Sequence, residues 1–467
     1  ACASAPGPAM PERAQLGAWI SENGISSIRL EATNHDGLVL GKYLSAEKFL
    51  GAAERGVQIA DTAFGVDLSG DVALGWDWGD WRGEVTDITA VPDLETLAVD
   101  PSFPGLGSVI CDFATGDGRP VPICGRSMLT RLISRLADLG LSAIVAPEIE
   151  FSAFEEPIQT ARERNYRGLT PLGGPARITY LLSRSGDFNE LMSRAAERLT
   201  ELGVEWESWS SETAAGQAEI NIAPTDPLSA ADHVIRTKLA LREVADELGH
   251  SVTFMALADE HLGASMHVNL SLLDGDRNPF FAESGRPEDA PVLRRWIAGL
   301  LATMPAAMSL FSPTVNSYRR LVEIAGPPTT VTWGDENKST AVRTVTRSPG
   351  SARIEHRLPA VDCNPYLALS AILAGGLIGM EEELEPPAPF TEMAWGLEPD
   401  AAPRIPDSIT TAADALEADE RLTALLGAEA VEYWLGSRRW EWLTFHRSGG
   451  DPDSVSDFEL ARYFEHL

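Results

Sequence analysis

The stretch EHLGASMHVNLSL, residues 260–272, decides how the rest of the chain is read. From Met266 onward two kinds of side chain alternate: Met266, Val268, Leu270 and Leu272 against His267, Asn269 and Ser271. Successive side chains of a β-strand point to opposite sides of the sheet, so this is a strand with one apolar and one polar face. A single histidine in such a place is most often a hydrogen-bonded core or rim residue. Three other segments repeat the pattern. In VAPEIEF (145–151) Glu148 and Glu150 share a face. In GQAEINI (216–222) Gln217, Glu219 and Asn221 oppose Ala218, Ile220 and Ile222, with Glu212 just upstream. In ARIEHRL (352–358) Arg353, Glu355 and Arg357 line up. As neighbours in one sheet, these strands would form a wall of carboxylates, a histidine and arginines, with their apolar sides packed on helices.

Carboxylates held close together raise one another's pKa and resist ionising together. Divalent cations relieve that repulsion, and Mg²⁺ or Mn²⁺ favour oxygen ligands with an occasional imidazole. Arginines on the same wall suit phosphate through their planar fork of donors. Metal together with phosphate-binding arginines implies phosphoryl transfer from a nucleotide. Neither GxxxxGK[ST] nor GxGxxG occurs, so a P-loop or Rossmann turn is not expected to hold it.

The bulk properties agree. At 467 residues the chain is long enough for two or three domains. Its 69 acidic against 37 basic residues give a net charge of −32, which disfavours binding to nucleic acid or to an anionic membrane surface. YLALSAILAGGLIGM (366–380) is short, small-residue-rich and followed by three glutamates, so it reads as a buried helix and not a membrane span. The start lacks the basic and apolar pattern of a secretory signal, and four cysteines without CxxC spacing make no disulfide framework. A cytoplasmic location is expected.

Residues up to about 115 read as a small, mostly β region, with a hairpin turning at His35-Asp36-Gly37. From Arg126 helices begin. RSMLTRLISRLADLG places Leu129, Leu132, Ile133, Leu136 and Leu139 on one face, stopped by Gly140. Further helices are FNELMSRAAERLTELG, ADHVIRTKLALREVADELG and PEDAPVLRRWIAGLLATM, so the second part is α+β. EPPAPFTEMAWGLEPDAAPRIPDS (385–408) reads as a Pro-rich surface excursion.

Taken in order, these segments resemble the glutamine synthetase family over nearly the whole chain. The landmarks are Glu148 and Glu150 in E-x-E-F, then Glu212, Gly216, Gln217 and Glu219 in E-x-x-x-G-Q-x-E, and T-F-M (253–255) before the M-H strand. NSYRRL (316–321), WGDENKSTAVR (333–343), RIEHR (353–357), NPYLA (364–368) and a closing DFELARYFEHL follow. The resemblance implies an α+β fold: a β-grasp-like domain over residues 1–115, then a catalytic domain over 116–467 with a curved antiparallel sheet flanked by helices. It implies that ATP phosphorylates the γ-carboxylate of glutamate and that an amine displaces phosphate. Two to three Mg²⁺ or Mn²⁺ ions and a homo-oligomer, a dodecamer with sites between subunits, are implied as well. One ion would fall to Glu150, Glu212 and Glu219, the other to Glu148, His267 and Glu355. Arg320 and Arg357 match residues that hold glutamate and the transferring phosphoryl group, and Lys338 and Arg343 match a phosphate-stabilising pair. Arg353, Asn269 and Ser271 match nucleotide contacts, while Glu150, Gly263 and His267 fall in the glutamate-binding region.

The departures point to the substrate. The family's H-x-H is H-x-N here, with Asn269 in place of a phosphate-contacting imidazole. Its N-G before the M-H strand is Leu262-Gly263, so the Asn that fixes the amino-acid end of glutamate is replaced. Lys338 stands where the family has Arg. The flap glutamate that takes a proton from ammonium is Gly326, with Glu323 three residues earlier. No FDGSS-type segment supplies the ammonium-binding Asp; ADTAFGVDLSG (60–70) offers only Asp61 or Asp67. Loss of the ammonium acids beside an intact metal set implies a ligase that joins glutamate to an amine other than ammonia. Glutamine synthesis from ammonium and a catalytically silent relative stand as alternatives. Trp76, Trp78 and Trp81 are candidates for an amine pocket, or equally for hairpin core or subunit interface.

Overall fold

Alternating faces lay down the strands, which form two sheets. The computed structural model describes residues 15–72, 86–258, 263–322, 326–398, 400–451 and 454–467. Trp76, Trp78, Trp81, Leu262 and Glu323 lie outside these residues.

The first sheet contains β1 (Ser27–Thr33), β2 (Val39–Leu40), β3 (Tyr43–Ser45), β4 (Val57–Ala60), β5 (Asp87–Pro92), β6 (Ala98–Asp100) and β7 (Leu106–Ala114). Its order is β2-β1-β7-β5-β4, with β3 also on β1 and β6 on β7. The hairpin at His35-Asp36-Gly37 is present: Ala32 and Thr33 pair with Leu40 and Val39, and Gly37 takes a φ of 84° that suits glycine. In this mostly β region β1 and β7 pair in parallel, and helices Leu16–Glu22 and Ala46–Arg55 accompany them.

The second sheet contains β8 (Ser142–Phe154), β9 (Trp206–Ser211), β10 (Gln217–Ile222), β11 (Ser251–Thr253), β12 (Met266–Leu273), β13 (Trp333–Asp335), β14 (Val342–Val345) and β15 (Arg353–His356). The order is β13-β14-β15-β12-β8-β10-β9, with β11 on β8. Every pairing is antiparallel except β13 with β14. The four polar-faced strands are consecutive: β15, β12, β8 and β10. Their apolar sides, including Val145, Ile149, Ile220, Val268, Leu270 and Ile354, are almost wholly buried. They share one core with residues of the helices Gly125–Asp138, Pro227–Leu248 and Pro365–Glu381. Burying these side chains, at roughly 1.5–3 kcal/mol each, fixes the register, because a one-residue slip would turn every carboxylate into the core.

One expectation changes in detail. Leu139 does not join the apolar helix face: the helix ends at Asp138, Leu139 is its cap, and its side chain is 47% exposed. The Pro-rich segment is a surface excursion whose backbone is also bonded to the sheet edge. Phe390 N–H donates to Trp333 O (2.7 Å), Trp333 Nε1 donates to Pro387 O (2.9 Å), and Val331 N–H donates to Pro403 O (2.8 Å). It therefore covers the edge strand β13, whose unpaired backbone groups would otherwise be open to pairing with another chain. Among the described residues no helix is long and apolar enough to cross a membrane.

Arg126 joins the two parts of the chain. It meets Asp93 and Asp112 at 2.6 Å each, and Asp232 of the helix Pro227–Leu248 at 2.9 Å. Asp61 and Asp67 have structural partners within the chain. Asp61 accepts from Thr86 Oγ1 at 2.7 Å, and Asp67 is held by Arg462 and Trp440 at 3.0 Å each.

Candidate active site

Strand register sets the polar side chains in rows. Asn221, Glu148 and His267 stand abreast on β10, β8 and β12. Glu219 stands beside Glu150 in the next row. On the other side, Ala146, Asn269, Glu355 and Arg343 run across β8, β12, β15 and β14. Directly opposed residues on adjacent strands have Cβ atoms roughly 4.5–5.5 Å apart, so these charges are forced together.

Glu148, Glu219 and His267 each offer one ligand atom, and these atoms lie within 4.8 Å of one another. His267 Nδ1 is 3.4 Å from Glu148 Oε2 and 3.8 Å from Glu355 Oε1. Glu148 Oε1 accepts from Asn269 Nδ2 at 2.8 Å, and Asn269 Oδ1 accepts from Arg353 Nε at 2.8 Å. Glu355 accepts from Arg343 Nη1 at 2.8 Å and also pairs with Arg357. Glu150 lies deeper, and its Oε2 accepts from Ser265 N–H (2.8 Å) and Gln217 Nε2 (3.3 Å). Arg320 is only 1% exposed and donates to Ser265 Oγ (3.1 Å) and Leu358 O, packing behind Gly263.

The carboxylates are not equivalent. Burial, then the charge of Glu212, pushes Glu150 up to about 8, against Ser265 N–H, Arg357 and Arg320. Burial, then Glu148 and Glu150, pushes Glu219 up to about 8 as well. Burial also raises Glu212. Against burial, His267, Asn269 and Arg357 hold Glu148 down to about 2, and Arg357 and His267 lower Glu355. Without added positive charge this wall cannot ionise fully, and its donor set of carboxylate oxygens with one imidazole fits Mg²⁺ or Mn²⁺.

Residues 122–463 match the model of the glutamine synthetase catalytic domain. The chain belongs to the glutamine synthetase family. It is 31% identical over 450 residues to a glutamate–isopropylamine ligase of a Pseudomonas species, covering 96% of each chain. It is 32% identical over 454 residues to the gamma-glutamylethanolamide synthetase GlnA4 of Streptomyces coelicolor, covering 97% of this chain and 96% of the relative. The solved structure of ligand-free GmaS superposes with a TM-score of 0.81 at 27% identity, covering 95% and 98% of the two chains.

Compared with the family-derived ligand sets, the tightest grouping is crossed. Glu219 clusters with Glu148 and His267 while standing opposite Glu150, so it lies between the two expected ligand sets. In this register Glu219 is the diagonal neighbour of Glu148, and both project from the same face. Glu212 follows β9, half-buried, and its Oε2 accepts from Thr213 N–H at 3.2 Å. Ser271 Oγ donates to Ala352 O at 2.7 Å, bridging to the residue before β15. Lys338 is exposed in the turn between β13 and β14. Gly263 is required by close approach, since a Cβ there would lie 2.2 Å from Arg320 Cβ and 2.8 Å from Ala256 O.

Three residues of the candidate site escaped sequence reasoning. Ser265 precedes the alternating strand and acts through its backbone. Tyr180 sits in a loop fixed next to Glu212, since its N–H donates to Ser211 O at 2.9 Å, and burial, then the charges of Glu212 and Glu219, raises its pKa. Its φ of 64° is rare for a non-glycine residue, but alternation cannot reveal it. Glu336 lies inside a recognised motif without an assigned role.

Proposed function

We propose that the protein is an ATP-dependent ligase that joins the γ-carboxyl of glutamate to an amine other than ammonia. The observation that carries this reading is the complete carboxylate, histidine and arginine wall beside a flap position that holds glycine. A Cβ at Gly326 would lie 2.5 Å from Val322 Cγ2 and 3.1 Å from Arg320 O, so that position carries no acid and is packed against one. The names of the isopropylamine and ethanolamide relatives support an organic amine as the acceptor.

The chemistry follows in two steps. A γ-carboxylate oxygen of glutamate attacks the γ-phosphorus of ATP; the new O–P bond forms as ADP leaves. The amine nitrogen then attacks the acyl phosphate carbon, inorganic phosphate leaves, and one proton is lost from nitrogen. Glu148, Glu150, Glu212, Glu219, His267 and Glu355 would hold divalent ions, which supply Lewis-acid neutralisation of phosphate charge. Arg343, Arg357 and Lys338 place fixed positive charge where negative charge develops in transfer. Arg353, Asn269 and Ser271 face the nucleotide. Gly263 and Glu150 shape the glutamate end, and Arg320 supports them from behind by holding Ser265. Tyr180 stands next to Glu212, at the end of the wall away from the arginines.

We further take residues 1–115 and 116–467 as the two domains, and the active unit as a homo-oligomer, a dodecamer with sites completed by a neighbour. Exposed Ile178, Tyr180 and Leu182 (56, 67 and 92%) support a rim covered in the assembly. Buried free thiols at Cys111, Cys124 and Cys363 fit a reducing, cytoplasmic setting. A phosphate-release assay with glutamate, ATP and Mg²⁺ across alkylamines, ethanolamine, diamines, anilines and ammonium tests the function. Turnover with an organic amine is expected; turnover with ammonium alone would make it a glutamine synthetase, and silence with all would refute catalysis.

A further inference from the structure

Glu336 occupies an unusual place for an acid beside a phosphate-handling arginine. Its Oε2 meets Arg343 Nη2 at 2.5 Å and its Oε1 meets Arg347 Nε at 2.8 Å. Arg343 is therefore gripped at both ends, since its Nη1 meets Glu355 Oε2 at 2.8 Å. The backbone at Glu336 has a φ of 52°, a left-handed conformation that residues with a Cβ seldom adopt. The surrounding turn is tied down. Glu336 N–H donates to Thr344 O (2.9 Å), and Thr344 Oγ1 donates to Asp335 Oδ1 (2.9 Å). Asn337 Oδ1 accepts from Ser339 N–H (3.1 Å), and its Nδ2 donates to Phe390 O (3.1 Å) and Glu392 O (2.7 Å). The sharp turn between β13 and β14 aims one carboxylate at Arg343.

We propose that Glu336 is a positioning residue that keeps Arg343 extended for the transferring phosphoryl group; this rests on the ligase reading above. Glu355 belongs to the metal-holding set, and its oxygens cannot serve a cation and Arg343 fully at the same time. Once Glu355 turns to a cation, Arg343 retains one anchor, Glu336. A long side chain without that anchor either folds onto Glu355 or wanders into solvent, and a preorganised charge is lost. Arg347, 79% exposed and held by the same carboxylate, offsets the negative charge that Glu336 brings.

The test is a double-mutant cycle on the full-length protein with its active amine. Glu336→Ala should lower kcat about 10- to 100-fold, with KM for ATP and glutamate within about threefold, and Glu336→Gln, which keeps an acceptor, should fall between. Melting temperature should hardly move. In an Arg343→Ala background, Glu336→Ala should cause no further loss, because it acts through Arg343. Additive losses, or wild-type kcat in Glu336→Ala while Arg343→Ala is inactive, would overturn the proposal and leave the ligase reading standing. Failure of the wild-type protein to form any γ-glutamyl amide would instead remove the reading on which it rests.

Discussion

Replacing Glu219 by Gln should stabilise the metal-free protein at alkaline pH and weaken the metal-loaded one. Burial, Glu148 and Glu150 move this carboxyl from 4.5 up to about 8. A carboxyl whose folded pKa is raised contributes stability that is fully present below its unfolded value and lost as pH rises through the folded value. The relevant window therefore runs from 4.5 to about 8. At 1.36 kcal/mol per unit the whole shift is a ceiling of ~5 kcal/mol. Glu219 is only partly buried and titrates together with Glu150, so screening and coupling reduce this to about a third, ~1.5–2 kcal/mol. Gln matches Glu in shape, cannot ionise, and can still accept the hydrogen bond that Asn221 Nδ2 makes to Oε1 at 3.1 Å. With chelator present, the variant should melt with the wild type at pH 5 and roughly 1.5–2 °C above it at pH 8. With Mg²⁺ the order should reverse at pH 8, since the variant has lost a ligand. Calorimetry in both conditions at pH 5, 6.5 and 8 reads the effect. Equal Mg²⁺ stabilisation of both proteins, or a metal-free variant that melts lower at pH 8, would show that Glu219 is not part of a repelling metal-binding wall.

Further outcomes follow from the same geometry. At pH 7, Mn²⁺ binding should release about one to two protons, because Glu150 and Glu219 are both pushed up to about 8, and the release should fade above that pH; calorimetry in two buffers of different ionisation enthalpy measures it, and no release at pH 7 contradicts the assignment. Asn269→Ala removes the donor to Glu148 and should weaken Mn²⁺ binding about 10- to 100-fold by spin resonance, whereas Asn269→His, which keeps a donor, should stay close to wild type. Gly263→Ala forces a Cβ onto Arg320 Cβ and a backbone carbonyl, so a loss of about 2–3 kcal/mol in denaturant unfolding and a raised KM for glutamate are expected; an unaltered unfolding midpoint would show that the turn can relax.

The polar faces of β8, β10, β12 and β15 were legible because β-strand alternation is local and strict. The neighbour relations that bring Glu219 to Glu148 were not, since pairing and register depend on distant contacts. Helix faces were readable from periodicity, yet Leu139 fell outside because a helix end depends on the turn that follows it. The Pro-rich segment was legible as a surface excursion because proline and glycine mark the absence of regular structure, whereas its backbone bonds to Trp333 and Val331 carry no sequence pattern. Arg320 shows the limit most clearly. A motif arginine reads as a substrate contact, but the chain folds Gly263 and Ser265 over it and engages its guanidinium on Ser265 Oγ and Leu358 O. Tyr180 and Ser265 act from loop and backbone, where residue type alone says little.

The register also gives the site a direction. Arg343, Arg353 and Arg357 come from β14, β15 and the residue after it, at one side of the sheet. On the other side β10 and the residues after β9 bring Glu219 and Glu212, and no arginine. The carboxylates next to the arginines, Glu148 and Glu355, are held low, while Glu150, Glu212 and Glu219 are held high. The wall thus runs from carboxylates held ionised beside the β14 and β15 arginines to carboxyls held toward the protonated form at β10. In the proposed ligase the arginine end takes the phosphates, and the β10 end gains its charge only as divalent cations displace its protons. These carboxyls are then either protonated or engaged by a cation, so the amine's proton must leave to a group other than these. Gly326 offers no such group either, and a Cβ there would meet Val322 Cγ2 at 2.5 Å and Arg320 O at 3.1 Å.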